Sequence, residues 1–348
     1  MVPVVDLSRR GRRFADEFAA VAHDIAVGGQ FLLGSRLAAF EVDFAATVDT
    51  DRAAGVSSGA AALQLGLSAL GIGPGDEVLV PAFTAVPTAS AVVALGATPV
   101  FVDVDPGTAC LDVELVDRAI TPRTKAIVVV HLYGRPAELP QTDLPIVQDA
   151  AQAHGAVSGA TSGSFTAYSF YPTKNHGGIG DGGAVATNDE QLDERVRLLR
   201  VHGARQQYVH EVVAQNHRMS ELEAAWLHLT LPSLAGDNAR RRAIAARYRA
   251  AAAHLRWQDD DPAHVQHLCV FRIESRQRAI EELARAGVAT AIHYPLSLPE
   301  QPAYRRWATE PCPEAAAWAR TCISVPCFPE MTDDEVDQVA TALAGVGT

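Results

Sequence analysis

The sequence predicts an α/β protein: a large domain on a mostly parallel mixed sheet, followed by a smaller α+β domain. Three observations carry this. From residue 53 onward, short apolar segments alternate with helical ones, the pattern of a sheet covered on both faces. Some of these segments, 126–130 above all, are apolar without alternation, as strands buried on both sides are. The length of 348 residues with 48% hydrophobic content suffices for a large core and a second domain.

Residues 1–52 are expected to form a helical arm. Apolar residues at helical spacing run over 12–27 and stop at Gly28-Gly29, and a second helix covers 35–47. The large domain, 53–256, opens with GVSSGAAALQLGLSALG: a strand end, a serine cap at Ser57 or Ser58, an Ala- and Leu-rich helix, and a stop at Gly71. A GPGD turn leads into a strand at 77–80. There follow a Thr-led helix at 84–95, a strand at 99–104, a helix after Asp112, and strands at 126–130, 145–147 and 184–187. Asp189 caps a helix at 190–201, and two more helices cover 219–231 and 237–255, with Arg240 to Arg242 as the solvated face of the second. DDDPAHVQ marks a junction. The small domain, 257–348, then shows strand 267–273, helix 277–286, a strand ending at Ile292, a Pro-rich loop, strand 322–325 and a helix from Thr332.

Composition excludes several functions. The 29 basic and 41 acidic residues give a net charge of −12 and a pI near 5.4, against general nucleic-acid binding. Five cysteines without a Cys-x-x-Cys pair indicate neither a disulfide framework nor a zinc site, and no metal is expected. The start has no apolar signal core and no run is long enough to span a membrane, so a cytoplasmic protein without a membrane partner is expected.

The chemistry centres on SFTAYSFYPTKNHGGIGDGG, residues 164–183: an aromatic-rich strand stopped by Pro172, then Lys174 and a loop with five glycines. A lysine just past a strand, over glycines that permit close approach, sits where a Schiff-base lysine would sit. By this stretch alone a solvated loop lysine is an equal reading. A Walker A phosphate loop is ruled out, because Lys174 precedes the glycines and Asn175 follows it.

Two further features fall at strand ends or helix starts. Ser57-Ser58-Gly59-Ala60 opens a helix whose free amides and dipole suit a phosphate, or is an ordinary serine cap. QDAAQAHG, 148–155, follows a strand, and in a helix Asp149 and Gln152 would point from one face. A carboxylate against a pyridine nitrogen keeps it protonated, so the ring works as an electron sink. Phosphate cradle, aspartate and lysine, in that order on one α/β sheet, are what pyridoxal phosphate needs.

The chain resembles the DegT/DnrJ/EryC1/StrS family of sugar aminotransferases, which have the pyridoxal-phosphate-dependent fold type I. Along nearly the whole length the carriers are VDLSRRGRRF, GGQFLLGSRLAAFE, GVSSGAAAL, GDEVLVPAFTAVPTASAVVALGATPVFVDVDP, VQDAAQAHGA, SFYPTKNHGGIGDGGAVAT, QNHRMSELEAAWL, IHYPLSLPEQPAY and ISVPCFPEMTDDEV. The resemblance implies that Lys174 binds the cofactor covalently and moves protons. It also implies that Asp149 pairs with the ring nitrogen, that Gln152 contacts the ring hydroxyl, and that Gly59, Ala60 and Ser169 hold the phosphate. Asn216 in QNHRM resembles an asparagine that reaches the phosphate from the partner subunit, implying a homodimer with shared sites. Arg218 is a candidate for a substrate carboxylate or for support of that loop.

The implied reaction moves an amino group from L-glutamate to a nucleotide-linked ketosugar. FYPTKN with GDGG resembles the branch acting at C-3; amination at C-4 or of an aminocyclitol is the alternative. A dehydratase is disfavoured by Lys174, since such relatives carry histidine there, and a nicotinamide dehydrogenase by the lack of Gly-x-Gly-x-x-Gly after the first strand. A non-catalytic, regulatory cofactor-binding protein is the alternative of another class, because the chain departs from the family pattern. Ala60 replaces a threonine at the phosphate and Ala85 an aromatic ring over the cofactor. His176 stands for an apolar residue, Glu223 for a glutamine, Asp237 for a tryptophan and Pro299 for a histidine. His154, His202, His210 and His217 lack metal-ligand spacing and read first as hydrogen-bonded structural residues. His154, His210, Tyr171, His293 and Tyr294 are carried as substrate-contact candidates.

Overall fold

The computed structural model describes residues 1–157 and 164–347; positions 158–163, within the expected large domain, and Thr348, the end of the expected small one, lie outside them. Two helices come first, α1 (Leu7–Gly28) and α2 (Ser35–Thr47). The first begins before the expected position because Asp6 caps it, accepting from the Ser8 amide, and it ends at Gly29 in the left-handed conformation (φ 70°).

The alternating region contains β1 (Arg52–Val56), α3 (Gly59–Ala69), β2 (Glu77–Pro81), α4 (Val86–Ala94), β3 (Thr98–Val102), α5 (Val116–Ala119), β4 (Thr124–Val130), β5 (Ile146–Asp149), β6 (Phe165–Ser169), β7 (Gly183–Thr187) and α6 (Glu190–Leu199). Among the described residues, these seven strands form one sheet in the order β1-β7-β6-β5-β4-β2-β3. Only β7 runs against its neighbours, and the links from β6 through to β3 are parallel. In β4 every residue except Lys125 is buried, which is why its sequence is apolar without alternation. The carboxyl ends of the six co-directional strands lie along one edge, where open α/β sheets collect ligands.

A hairpin, β8 (Ala204–Gln206) and β9 (Val209–His210), leads to α7 (Glu221–Thr230) and α8 (Leu234–Ala251). The remaining chain gives β10 (Arg256–Trp257), β11 (Cys269–Arg272), α9 (Arg276–Arg285), α10 (Pro313–Thr321), β12 (Cys322–Val325) and α11 (Asp333–Ala344), with β10, β11 and β12 in a small antiparallel sheet. On one face of the large sheet, Phe40 and Phe44 of α2 pack with Tyr168, Phe170 and Trp226. A separate cluster joins Val2, the second half of α8 (Ile244, Ala245, Tyr248), β11, β12 and α11.

Several expectations need correction. The Thr84-led helix starts at Val86 with Ala85 at its N-cap and no side-chain cap, while Pro87 within its first turn fits the start. The strand ending at Ile292 is reduced to isolated bridges, Val2 to Val288 and Ala291 to Ser324. The Pro-rich loop contains α10, whose first-turn amides at Glu314 and Ala315 donate to Asp103, a cap from 211 residues away that no local pattern displays. Arg241 is not on a solvated face: it is 5% exposed and donates to the Cys327 carbonyl.

Candidate active site

Lys174 sits in the turn after β6. Phe170 follows the strand, the Gly178 amide donates back to the Phe170 carbonyl at 2.7 Å, and the Lys174 amide donates to the Tyr171 carbonyl at 2.8 Å. Side chains remote in sequence fix this turn. Arg10 of α1 donates to the carbonyls of Pro172 (2.6 Å) and Lys174 (3.4 Å), and Trp226 donates to that of Gly177 (3.0 Å). Glu223 of α7 accepts from the Gly180 amide at 3.0 Å. A Cβ on Gly178 would lie 1.4 Å from Glu223 Oε1, so any side chain there would force this carboxyl to move. Behind the lysine, Asn175 bonds Asn238 and the Val265 carbonyl and accepts from His267. Lys174 opens only onto the site and protein otherwise surrounds it; burial pushes its ammonium down to about 8, opposed by the charge of Asp149.

Asp149 is the last residue of β5. Its Oδ1 accepts from the Ala151 amide at 3.1 Å and its Oδ2 from the Thr88 hydroxyl at 2.9 Å. Burial raises its pKa, against the Ala151 and Thr88 hydrogen bonds and the charge of Lys174. The segment after it is a turn, not the expected helix, and Gln152 reaches the same cavity by that route. Gln152 Oε1 accepts from the Tyr133 amide at 2.6 Å and its Nε2 donates to the Tyr294 hydroxyl at 3.0 Å, so its amide orientation is fixed.

Two cavities meet at the lysine and share Gln152, Tyr171 and Lys174. One, of about 300 Å³, is bounded by Gly59, Ala60, Ala85, Asp149, Ser169 and Asp181. The other, of about 260 Å³, is bounded by Arg241, His267, His293 and Tyr294. At the first, Ser58 Oγ takes the Ala61 amide, and the Gly59 and Ala60 amides, in the first turn of α3, have no intrahelical acceptor. A Cβ on Gly59 would lie 2.5 Å from that of Ser169, so glycine lets the α3 terminus close against β6. Free amides at a helix start, a buried carboxylate and a lysine whose proton leaves near neutrality fit pyridoxal phosphate at its phosphate, ring nitrogen and aldehyde.

Other candidates are placed differently. His154 is fully buried, packed against Tyr168, Phe170 and His176, and lines neither cavity; burial holds its pKa well below the ordinary histidine value. As a substrate contact it is corrected: it belongs to the packing behind the lysine turn. His176 is stacked by Phe40 and Phe44 in the same cluster, and burial pushes its pKa down to about 3, so it fills the apolar position as a neutral ring. His293 accompanies Tyr294 at the second cavity, its Nδ1 2.9 Å from Ser324 Oγ. Asn216, Arg218 and His210 line neither cavity. Arg218 Nε donates to Asn216 at 2.9 Å, and His210 Nδ1 to the His202 carbonyl at 2.9 Å. Arg10, Thr88 and Arg241 carry no local signal of these roles, because their partners are distant in the chain.

The family model of the DegT/DnrJ/EryC1/StrS aminotransferase family matches residues 13–344. A dTDP-3-amino-3,4,6-trideoxy-α-D-glucose transaminase of Streptomyces venezuelae is 43% identical, over 98% of this chain and 95% of that protein. A UDP-N-acetyl-3-dehydro-α-D-glucosamine 3-aminotransferase of Acidithiobacillus ferrooxidans is 39% identical, over 98% and 97%. The crystal structure of S. venezuelae DesV in complex with a ketimine intermediate superposes with a TM-score of 0.93 at 41% identity, covering 99% of this chain and 97% of that one. A match of this length, in a chain whose lysine turn and buried aspartate meet at one cavity, settles the family: the chain belongs to the DegT/DnrJ/EryC1/StrS aminotransferase family and is a pyridoxal-phosphate-dependent sugar aminotransferase.

Proposed function

We propose that this enzyme carries the amino group of L-glutamate to C-3 of a nucleotide-linked 3-ketosugar, giving 2-oxoglutarate and the 3-amino sugar. The observation that carries this is Lys174 between two cavities, one with the groups for pyridoxal phosphate and one open for a substrate. The choice of C-3 is supported by the two relatives, both named for nitrogen at that carbon.

The chain's own residues divide the work. The amides of Gly59 and Ala60 and the Ser169 hydroxyl would hold the phosphate, Asp149 would pair with the ring nitrogen, and Gln152 would contact the ring hydroxyl. Bound pyridoxal phosphate supplies the electron sink that stabilises negative charge at the substrate carbon losing a proton. Lys174 Nζ, a weak base in its buried setting, takes that proton and returns it on the other side of the exchange. Ala60 and Ala85 both line the first cavity, so neither the threonine hydroxyl nor the aromatic ring of the family pattern is supplied from these positions.

The active unit in this reading is a homodimer. Tyr208 is 85% exposed and Val213 fully exposed, in the same stretch as Asn216, which leaves apolar surface there for a second copy to cover. All five cysteines are free, which fits a reducing compartment.

The test is the near-visible absorbance of the cofactor-loaded protein before and after L-glutamate. Conversion to the aminated form with release of 2-oxoglutarate is expected, followed by turnover of a dTDP-3-ketosugar. A bound band unchanged by glutamate would overturn the donor, and exclusive use of a 4-ketosugar would overturn the position.

A further inference from the structure

Resting on the aminotransferase reading, we propose that Arg241 binds a carboxylate of the amino donor in the second cavity. Arg241 belongs to α8 and is 5% exposed, yet it borders the cavity that Lys174 also borders. Its neighbours Arg240 and Arg247 pair with Asp333 and Asp337. Arg241 forms no ion pair among the described residues. One nitrogen donates to the Cys327 carbonyl, and Nε is buried without an acceptor.

Burial disfavours the charge on Arg241; Cys327, Glu330 and Asp237 favour it without forming an ion pair, and a guanidinium with an unpaired buried Nε is completed by an anionic ligand. No aspartate or glutamate lines this cavity. The two histidines there cannot supply charge of either sign. His267 is held well below its ordinary pKa by burial, then by Lys174 and Arg241, and His293 is lowered by burial and by Lys174. The cavity thus presents an arginine fork on one side and the reactive amine on the other, in an otherwise neutral lining. An amino acid has the matching pair of groups, a carboxylate for the planar guanidinium and an amine to exchange at Lys174.

The test compares the cofactor-loaded natural protein with Arg241→Met and Arg241→Lys, each checked first for its bound-cofactor absorbance. Two titrations follow: L-glutamate, read by the spectral half-reaction, and glutarate, a dicarboxylate without an amine, read by calorimetry. Arg241→Met is expected to weaken both by about 30-fold or more. The reverse half-reaction from the amino sugar nucleotide, and the half-reaction with n-propylamine, are expected to change by less than about threefold, since neither needs the carboxylate contact. Arg241→Lys keeps the charge without the fork, and an intermediate loss of glutarate affinity is expected. Natural affinity for glutarate in either variant would overturn the proposal, as would an equal loss on the amino-sugar side. If the natural protein binds glutarate but shows no half-reaction with glutamate, the aminotransferase reading fails while the Arg241 comparison remains informative through calorimetry.

Discussion

Thr88 Oγ1 donates to Asp149 Oδ2 at 2.9 Å, joining the first turn of α4 to the end of β5 at the floor of the cofactor cavity. The hydroxyl favours the ionised carboxylate, against the burial that disfavours it. Thr88→Val should therefore raise the Asp149 pKa further and shift the pH dependence of cofactor binding upward. A charge-assisted hydrogen bond contributes about 1.5–3 kcal/mol, so the affinity should fall about tenfold or more. Thr88→Ser should recover most of it. Unchanged affinity in Thr88→Val, measured by fluorescence titration, would remove Thr88 from the site.

The chain has two lysines, Lys125 and Lys174, and Lys125 is exposed on β4. Capture of pyridoxal phosphate followed by borohydride reduction and peptide mass analysis therefore reports each amine separately. The rate at Lys174 should rise with pH through about 8, because burial depresses its pKa and only the neutral amine attacks. Asp149 favours the charged amine, so Asp149→Asn should move the midpoint lower. A Lys174 midpoint near 10 in the natural protein would contradict the buried setting.

Glu223 holds the glycine loop from beneath. Burial, with Asp181 adding to it, pushes its carboxyl up to about 7, against hydrogen bonds from the Gly180 and Ile179 amides. A carboxyl with a raised folded-state pKa leaves the native protein holding more protons than the unfolded chain between the ordinary glutamate value and about 7. Stability falls as pH rises through that window. Glu223→Gln removes the titration, so the difference in stability between variant and natural protein should move towards the variant across it, by about 3 kcal/mol. Thermal unfolding at several pH values checks this; a pH-independent difference would mean that Glu223 is already ionised in the fold.

Asn216 and Lys174 should belong to sites on opposite subunits. Lys174→Ala and Asn216→Ala protomers, each impaired alone, should form mixed dimers in which one site carries both lesions and the other neither. Random exchange then restores about one quarter of the natural sites. No recovery, with exchange verified by mass, would place Asn216 on its own chain's site or outside any site.

Much of the fold was legible because the features that specify it are local. Ser58 caps α3, the run 126–130 forms the interior of β4, and the Asp189 and Thr332 caps start α6 and α11, each through contacts within a few residues. Lys174, Asp149 and the α3 terminus were found as motifs because strand ends and helix starts leave a mark in sequence. The Asp149-to-Gln152 spacing suits a helix, yet the segment is a turn, because the spacing serves tertiary contacts: Gln152 bonds Tyr133 and Tyr294.

The sequence by itself determined the alternating architecture, the order of cradle, aspartate and lysine, and the family. The tertiary structure decided which side chains hold them. Arg10 reaches Pro172 across 162 residues, Thr88 reaches Asp149 across 61, and Arg241 turns from an apparent surface cluster to Cys327 across 86. Nothing in local spacing distinguishes these residues from solvated ones, because whether a long polar side chain meets water or a buried carbonyl depends on which elements the chain later packs over it.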